Sequence, residues 1–368
     1  MHYLPAFHNN TLLRLPVLIV LLLLSSCSVP QRFYAVADNR EVHHFEMVNI
    51  GGVEQALLIN GKSADNPVLL YLHGGPGFPM LPFKPFSQSM RDLENYFTIV
   101  YWEQRGTGRS FSRKLTAESM TIEQFIADTR EIVEYLKEKL GVEKVFLWGH
   151  SWGSNLGAIY ASRYPETLYA YLSTGQSVNP FLNERLAYEF VKERAIEENN
   201  RRALRQLARI DTVPANYTID DALTVRRWVY RYGGIVYDNA ESRPYVDFGE
   251  MQTILSSPVY PWIVRLNLIL NPYFSIEKLW TDLKELNLFE KAPKIEVPVY
   301  FLVGRHDIIV SHVLAEKYFE QLKAPEGKEL IWFERSAHRP FAEENKKFLQ
   351  VMQEIHTRHH QQEVSARQ

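Results

Sequence analysis

The sequence predicts an α/β fold, with a mostly parallel central sheet and a largely helical cap inserted between late strands. Three observations carry that expectation. Compact apolar runs of strand length alternate with helix-period segments up to about Gly175. A helical, aromatic and charged stretch then interrupts them from Asn179 to about Lys291. The alternation resumes at Pro298 with the run VYFLVG.

The 368 residues hold 41 basic and 43 acidic side chains, a formal charge of −2. Hydrophobic residues at 46% and charged residues at 23% match a globular chain, and exclude a disordered, collagen-like or multi-span membrane protein. With no basic excess, a dedicated nucleic-acid binder is excluded as well. Cys27 is the one cysteine, so neither an intrachain disulfide nor a Cys-rich zinc site is available. No metal or organic cofactor is implied.

In chain order, Leu15 to Leu24 form an apolar run preceded by Arg14 and followed by Ser25, Ser26, Cys27 and Ser28. This is the plan of a secretory signal over residues 1–26, and it is shorter than the ~20 residues of a membrane span. Leu24-Ser25-Ser26-Cys27 resembles a bacterial lipobox, in which the chain is cut before the cysteine and the cysteine is acylated. The resemblance implies an exported lipoprotein of a bacterial cell envelope. Ordinary cleavage near Ser28 and an uncut anchor are the alternatives. Residues 27–40 then form a tether.

The folded part is expected to divide into a first core segment at 41–177, a cap at 178–292, a second core segment at 293–357 and a polar tail at 358–368. His43–Ile50 and Val53–Asn60 flank Gly51-Gly52 as a hairpin. Val68–Leu72, Phe97–Trp102 and Val145–Trp148 read as buried strands. Between the last two, Thr121 caps a helix that runs to Leu140 and stops at Gly141. A helix over Leu156–Tyr164, a strand over Tyr169–Ser173, a helix over Val313–Leu322, a strand over Glu329–Phe333 and a helix from Ala342 to about His356 complete the core.

Gly149-His150-Ser151-Trp152-Gly153 follows a strand and precedes a helix. A serine on so sharp a turn needs glycine neighbours, and the turn lifts its Oγ clear of the sheet edge. Ser151 is therefore the candidate nucleophile. Acyl transfer passes through an oxyanion that needs preplaced N–H donors. Trp152, next in chain, would supply one. Gly75, in His73-Gly74-Gly75-Pro76-Gly77 after an earlier strand, would supply the other. His73 is expected to be a structural hydrogen-bonder. In such a sheet the order along the chain is Ser, acid, His. Asp307 follows VYFLVG and His338 follows the last strand, which makes them the candidate acid and base. His306 and His312 compete for the base role but sit in the loop and helix of the acid.

These motifs, with Tyr101-Trp102-Glu103-Gln104-Arg105-Gly106-Thr107-Gly108-Arg109-Ser110, resemble the α/β-hydrolase superfamily and, within it, the proline iminopeptidase family of serine peptidases. The resemblance covers the core and is weak in the cap. Glu103 stands where that family has Asp, and Arg105 is expected to brace the loop. The family holds the substrate's free amine with cap acids, and no such pair is evident here. Glu189, Glu193 and Glu197 share a helical face but read first as a solvated stripe, and Arg201, Arg202, Arg205 and Arg209 as a charged face. Trp228, Tyr230, Tyr232, Tyr237, Tyr245, Tyr260, Trp262, Tyr273, Phe274 and Trp280 crowd the cap, as packing for the most part or as a lining over Ser151.

The resemblance implies an exported serine hydrolase that releases an N-terminal residue such as proline from short peptides through an acyl-enzyme. Its partners would be a small peptide or other acyl substrate, and a membrane. An esterase, lactonase or non-peptide amidase would use the same residues, and a non-catalytic binding protein on this fold is the third reading.

Overall fold

The structure is a computed structural model that describes residues 41–83, 88–237 and 252–366. The leader, Cys27 and the tether lie outside the described residues, as does Tyr245.

Eight strands form one sheet: β1 Val42–Ile50, β2 Val53–Gly61, β3 Val68–Leu72, β4 Thr98–Glu103, β5 Val145–His150, β6 Leu168–Thr174, β7 Val299–Gly304 and β8 Lys328–Phe333. Their order is β1-β2-β4-β3-β5-β6-β7-β8. The β1/β2 hairpin and the β2/β4 pair are antiparallel, and every pair from β4 to β8 is parallel. Gly51 and Gly52 turn the hairpin at positive φ, as the Gly-Gly pair predicts. β3, β4, β5 and β7 are buried along their whole length, which explains why they read as unbroken apolar runs.

The helices are α1 Gln88–Leu93, α2 Ile122–Leu140, α3 Trp152–Arg163, α4 Pro180–Glu197, α5 Arg201–Leu207, α6 Ile219–Arg231, α7 Trp262–Leu270, α8 Phe274–Glu285, α9 Leu288–Lys291, α10 His312–Gln321, α11 Pro340–Glu343 and α12 Asn345–Ala366. α2 shows how local signals set an element. Thr121 Oγ1 accepts the Gln124 N–H at 3.2 Å, and Gly141 closes the helix in the left-handed region. Its apolar face, with Phe125, Ile132 and Leu136, is buried on one side of the sheet. On the other side α12 buries Phe348, Met352 and Ile355. α4 to α9 fall between β6 and β7, over the carboxyl edge, where α4 and α6 bury a small core of their own around Val191, Val225 and Val229.

Two helices depart from expectation. α3 starts at Trp152, four residues before the predicted Leu156, because Gly153 and Gly157 pack inside it and do not interrupt it. A Cβ on Gly153 would lie 2.0 Å from the Leu72 carbonyl oxygen, and one on Gly157 would lie 2.5 Å from the Tyr171 ring. The final segment divides into α11 and α12, and α12 runs to Ala366, past the expected end near His356. The side chains at 358 and 359 account for this. Buried His359 meets the Tyr300 hydroxyl at 2.9 Å, and Arg358 pairs with Glu329, so the helix stays on the sheet.

Candidate active site

Ser151 sits between β5 and α3 with φ +55° and ψ −121°, a conformation that costs a non-glycine residue about 1–3 kcal/mol. Its flanking glycines are required sterically. A Cβ on Gly149 would meet the Gly153 carbonyl oxygen at 2.5 Å, and Gly153 itself is pressed on β3. The turn is held from outside by the Ser151 N–H donating to Thr174 O at 3.0 Å, and by Ser154, whose N–H donates to Ser151 O at 2.9 Å. The Trp152 N–H opens α3 and so has no acceptor within the helix.

The glycine loop after β3 lies against this turn. A Cβ on Gly74 would be 3.0 Å from Ser151 Cβ, and Gly75 takes a φ of +122°. His73 fastens the loop as a hydrogen-bonder. Its Nδ1–H donates to Gly74 O at 2.8 Å, and its Nε2 accepts the Gln104 N–H at 3.1 Å. Burial pushes its pKa down to about 4, so it stays neutral. Gln104 was not singled out from the sequence, yet it joins both halves of the site. Its Nε2 donates to His73 O and its Oε1 accepts the Trp152 indole N–H at 3.0 Å.

Asp307 follows β7 and His338 follows β8, both buried. His338 Nδ1–H donates to Asp307 Oδ2 at 2.8 Å, and Asp307 Oδ1 accepts the Val310 N–H at 3.0 Å. That leaves His338 Nε2 as the ring nitrogen for proton transfer. His338 and Ser151 line one cavity of about 740 Å³, together with Gly74, Gly75 and Trp152. The structure thus brings Ser151, Asp307, His338, Gly75 and Trp152 together, while Cys27 lies outside the described residues. It places His306 under the Tyr237 ring and His312 Nδ1 on the Asp307 carbonyl oxygen, away from the base position. The His150 ring lies 4.8 Å from the His338 ring at a tilt of 46°, and burial holds its pKa well below the usual range, so it is neutral too.

The base loop is clamped by a residue the sequence did not mark. Half-buried Glu343 accepts N–H groups from Ala337 and Arg339, on either side of His338, and from Tyr237 of the cap. The His338 N–H in turn donates to Ile235 O at 3.0 Å. Asn183 of α4 makes a second stitch, with Nδ2 donating to Ile309 O and Oδ1 accepting the Ser311 N–H, both at 2.5 Å.

Arg105 braces the loop after β4, as expected. Its Nε and Nη2 each meet Asp128 of α2 at 2.6 Å, a bidentate buried pair. Glu103, one methylene longer than the family's usual Asp, accepts the Arg109 N–H at 2.7 Å and the Tyr260 hydroxyl of the cap. Burial pushes its pKa up to about 7.

The cap lining could not be placed from the sequence. Glu189, Glu193 and Glu197 face solvent. Among the described residues the acid that lines the cavity is Glu184, one turn into α4, with Arg226 Nη2 on its Oε1 at 2.7 Å and the Tyr217 hydroxyl on its Oε2 at 3.1 Å. Arg226, Arg227, Lys284 and Arg339 also line the cavity, so its charged groups are mostly cationic in a chain of net charge −2. Among the named aromatics, Tyr230, Tyr273 and Trp280 reach the cavity, whereas Trp228, Tyr232 and Tyr260 are buried packing. No cluster of three metal-ligating side chains occurs among the described residues.

Known proteins share this fold. A family model described as alpha/beta hydrolase fold matches residues 67–344. A probable aminopeptidase of Bacillus subtilis is 33% identical over 333 residues, spanning 88% of this chain and 99% of that protein. A proline iminopeptidase of Saccharolobus solfataricus is 28% identical over 303 residues, spanning 79% and 84%. Among solved structures, a proline iminopeptidase-related protein from Thermus thermophilus superposes with a TM-score of 0.58 at 21% identity, over 86% of this chain and 97% of that one. With its core motifs, sheet order and cap in the places such a fold requires, the chain belongs to the α/β-hydrolase fold family, as a proline iminopeptidase-like hydrolase.

Proposed function

We propose that the protein is an aminopeptidase that releases an N-terminal residue such as proline from short peptides, with Ser151, His338 and Asp307 as its triad. The observation that carries this reading is the strained serine turn opening into the same cavity as the Asp307-bonded imidazole. His338 Nε2 takes the Ser151 proton as Oγ attacks the scissile carbonyl. The N–H groups of Trp152 and Gly75 receive the oxyanion. His338 then gives its proton to the leaving amine, and water repeats the sequence to free the acyl group. Asp307 holds the tautomer and stabilises the imidazolium.

The relatives' names support the peptidase reading, and the cavity's charges support a short substrate. Glu184 is the acid available to an α-ammonium, and Arg227, Lys284 and Arg339 suit the C-terminal carboxylate of a di- or tripeptide. One observation favours an esterase or non-peptide amidase as the second reading: Glu184 is already engaged by Arg226 and Tyr217. The remaining cap acids of residues 238–251 lie outside the described residues.

Hydrolysis of a fluorogenic prolyl amide, beside its N-acetylated form and a short-chain aryl ester, separates the two. Cleavage confined to the free-amine amide is expected. Ester turnover without amide turnover would sink the peptidase reading. We further propose export and acylation at Cys27, a reading supported by the lone cysteine after Leu24-Ser25-Ser26. Cys27→Ser should then change the mature mass and the membrane partitioning, and a variant unchanged in both would sink the acylation reading.

A further inference from the structure

α7 presents the wrong side of an amphipathic helix to water. Its one charged residue, Arg265, is turned inward at 6% exposure, where Nε donates to Tyr260 O at 2.9 Å and Nη2 donates to Ser257 O at 2.7 Å. Its outward residues are apolar: Trp262, Ile263, Ile269 and Leu270 are 48%, 44%, 46% and 61% exposed, and Tyr273 just beyond is 42% exposed. Five of the nine large hydrophobic side chains that stand exposed among the described residues therefore fall within twelve residues. Single exposed hydrophobic residues are ordinary, but a contiguous group of this kind marks a surface that meets something apolar.

We propose that this face seats on a lipid bilayer, in the plane of the interface, a step that rests on the acyl anchor proposed at Cys27 to bring it there. The route of the chain points to a membrane as the occupant. The Arg109 guanidinium lies 4.5 Å over the Phe45 ring of β1 and its Nη1 donates to Val259 O, three residues before α7. β1 begins at Val42, about 10 Å of strand before Phe45, so the chain enters the fold beside the apolar face. The fourteen residue steps from Cys27 to Glu41 span at most about 50 Å, enough for an acylated Cys27 and α7 to reach one surface.

The helix dimensions fit an interfacial position. Nine residues make about 13 Å of helix, far below the ~30 Å of a bilayer core, and no described helix is long and apolar enough to cross a membrane. Trp262 and Tyr273 bracket the patch, the two residue types that favour the headgroup level. The inward Arg265 leaves no charge on the α7 face that would enter the interface. Tyr273 also lines the catalytic cavity, so a seated α7 sets the cavity mouth beside the bilayer.

The test uses the full-length protein on vesicles of phosphatidylethanolamine and phosphatidylglycerol carrying brominated acyl chains. Tryptophan quenching is read as the difference between wild type and Trp262→Phe. The expected result is quenching of roughly half or more of the Trp262 emission, reduced several-fold by Ile269→Asp with Leu270→Asp, while Ser151 still labels with a phosphonate. A Trp262 left unquenched in protein that sediments with the vesicles would overturn the seating and leave the anchor reading intact. An unquenched Trp262 in a dimer that Leu270→Asp dissociates would assign the face to a second copy and overturn the proposal. If the mature mass shows no acylation, the anchor reading fails on its own. Quenching of Trp262 on added vesicles would then still support the seating, and its absence would overturn that too.

Discussion

Ser151 and Glu184 face one cavity, but different means hold them there. Ser151 is fixed by backbone: two glycines that admit no Cβ, a carbonyl of β6, and a loop stapled by His73 and Gln104. Glu184 is fixed by side chains, through Arg226 and Tyr217, on a helix tied to the sheet edge by a few polar stitches such as Asn183. Steric constraints of the first kind tolerate almost no substitution. A side-chain pair of the second kind can be exchanged for another. The sheet edge is thus built to keep one reaction, and the cap to vary what undergoes it.

The comparison makes predictions of decreasing size. Ser151→Ala should lower kcat by about four to six orders of magnitude on amide and ester alike, with unchanged circular dichroism. Substantial turnover of either substrate would move the chemistry off the sheet edge. Gly153→Ala should cost about 3–5 kcal/mol of stability, because its Cβ meets the Leu72 carbonyl 2.0 Å away and backbone must move. A melting temperature within a degree or two of wild type would show the edge to be more forgiving than its geometry indicates.

Glu103 joins the two regions, and its effect depends on pH. Its folded pKa, raised by burial to about 7 from the usual 4.5 of a glutamate, makes the folded state bind the proton more tightly than the unfolded one. Its contribution is therefore whole below about pH 4.5 and is lost as pH rises towards about 7, a span worth about 3 kcal/mol. In urea titrations at about pH 5 and about pH 8, Glu103→Gln should gain on wild type by about that amount between the two. Parallel pH profiles would mean that Glu103 is ionised throughout or solvated. The smallest effect should come from the cap. Arg227→Gln should reduce the preference for a prolyl dipeptide over its C-terminal amide by about three- to tenfold, with phosphonate labelling of Ser151 unchanged. An equal loss on both substrates would assign Arg227 to the fold and not to recognition.

The same division decides what could be read from the sequence. Strands β3, β5 and β7 are buried on both faces, so their apolar runs are unmistakable, and the residues that follow them at 73–77, 151 and 307 inherit fixed places at the sheet edge. Gln104 was missed because its side chain acts on His73 and Trp152, distant in sequence, and Glu343 because its local clamp on Ala337 and Arg339 and its distant bond to Tyr237 leave no pattern in the sequence. Glu184 was missed because helix periodicity groups Glu189, Glu193 and Glu197, and it gives no sign that α4 turns its opposite, buried side to the cavity. The early start of α3 was obscured by Gly153 and Gly157, whose reason for being glycine lies in β3 and Tyr171.

The sheet order has a temporal consequence. β5 carries the nucleophile and β7 and β8 carry its partners, adjacent in space across β6 but separated in the chain by the whole cap. A growing or partly threaded polypeptide that has released everything through α9 holds Ser151, the proposed oxyanion donors and the cap side of the cavity, yet lacks any imidazole at the proposed base position. Because β7 pairs in parallel with β6, laid down before the whole cap, closing that long loop is a late and comparatively slow event, and β8 can only follow it onto β7. The base position is therefore completed last, once the final strand has docked, and a chain cut short between α9 and residue 338 keeps Ser151 but lacks the imidazole proposed to activate it.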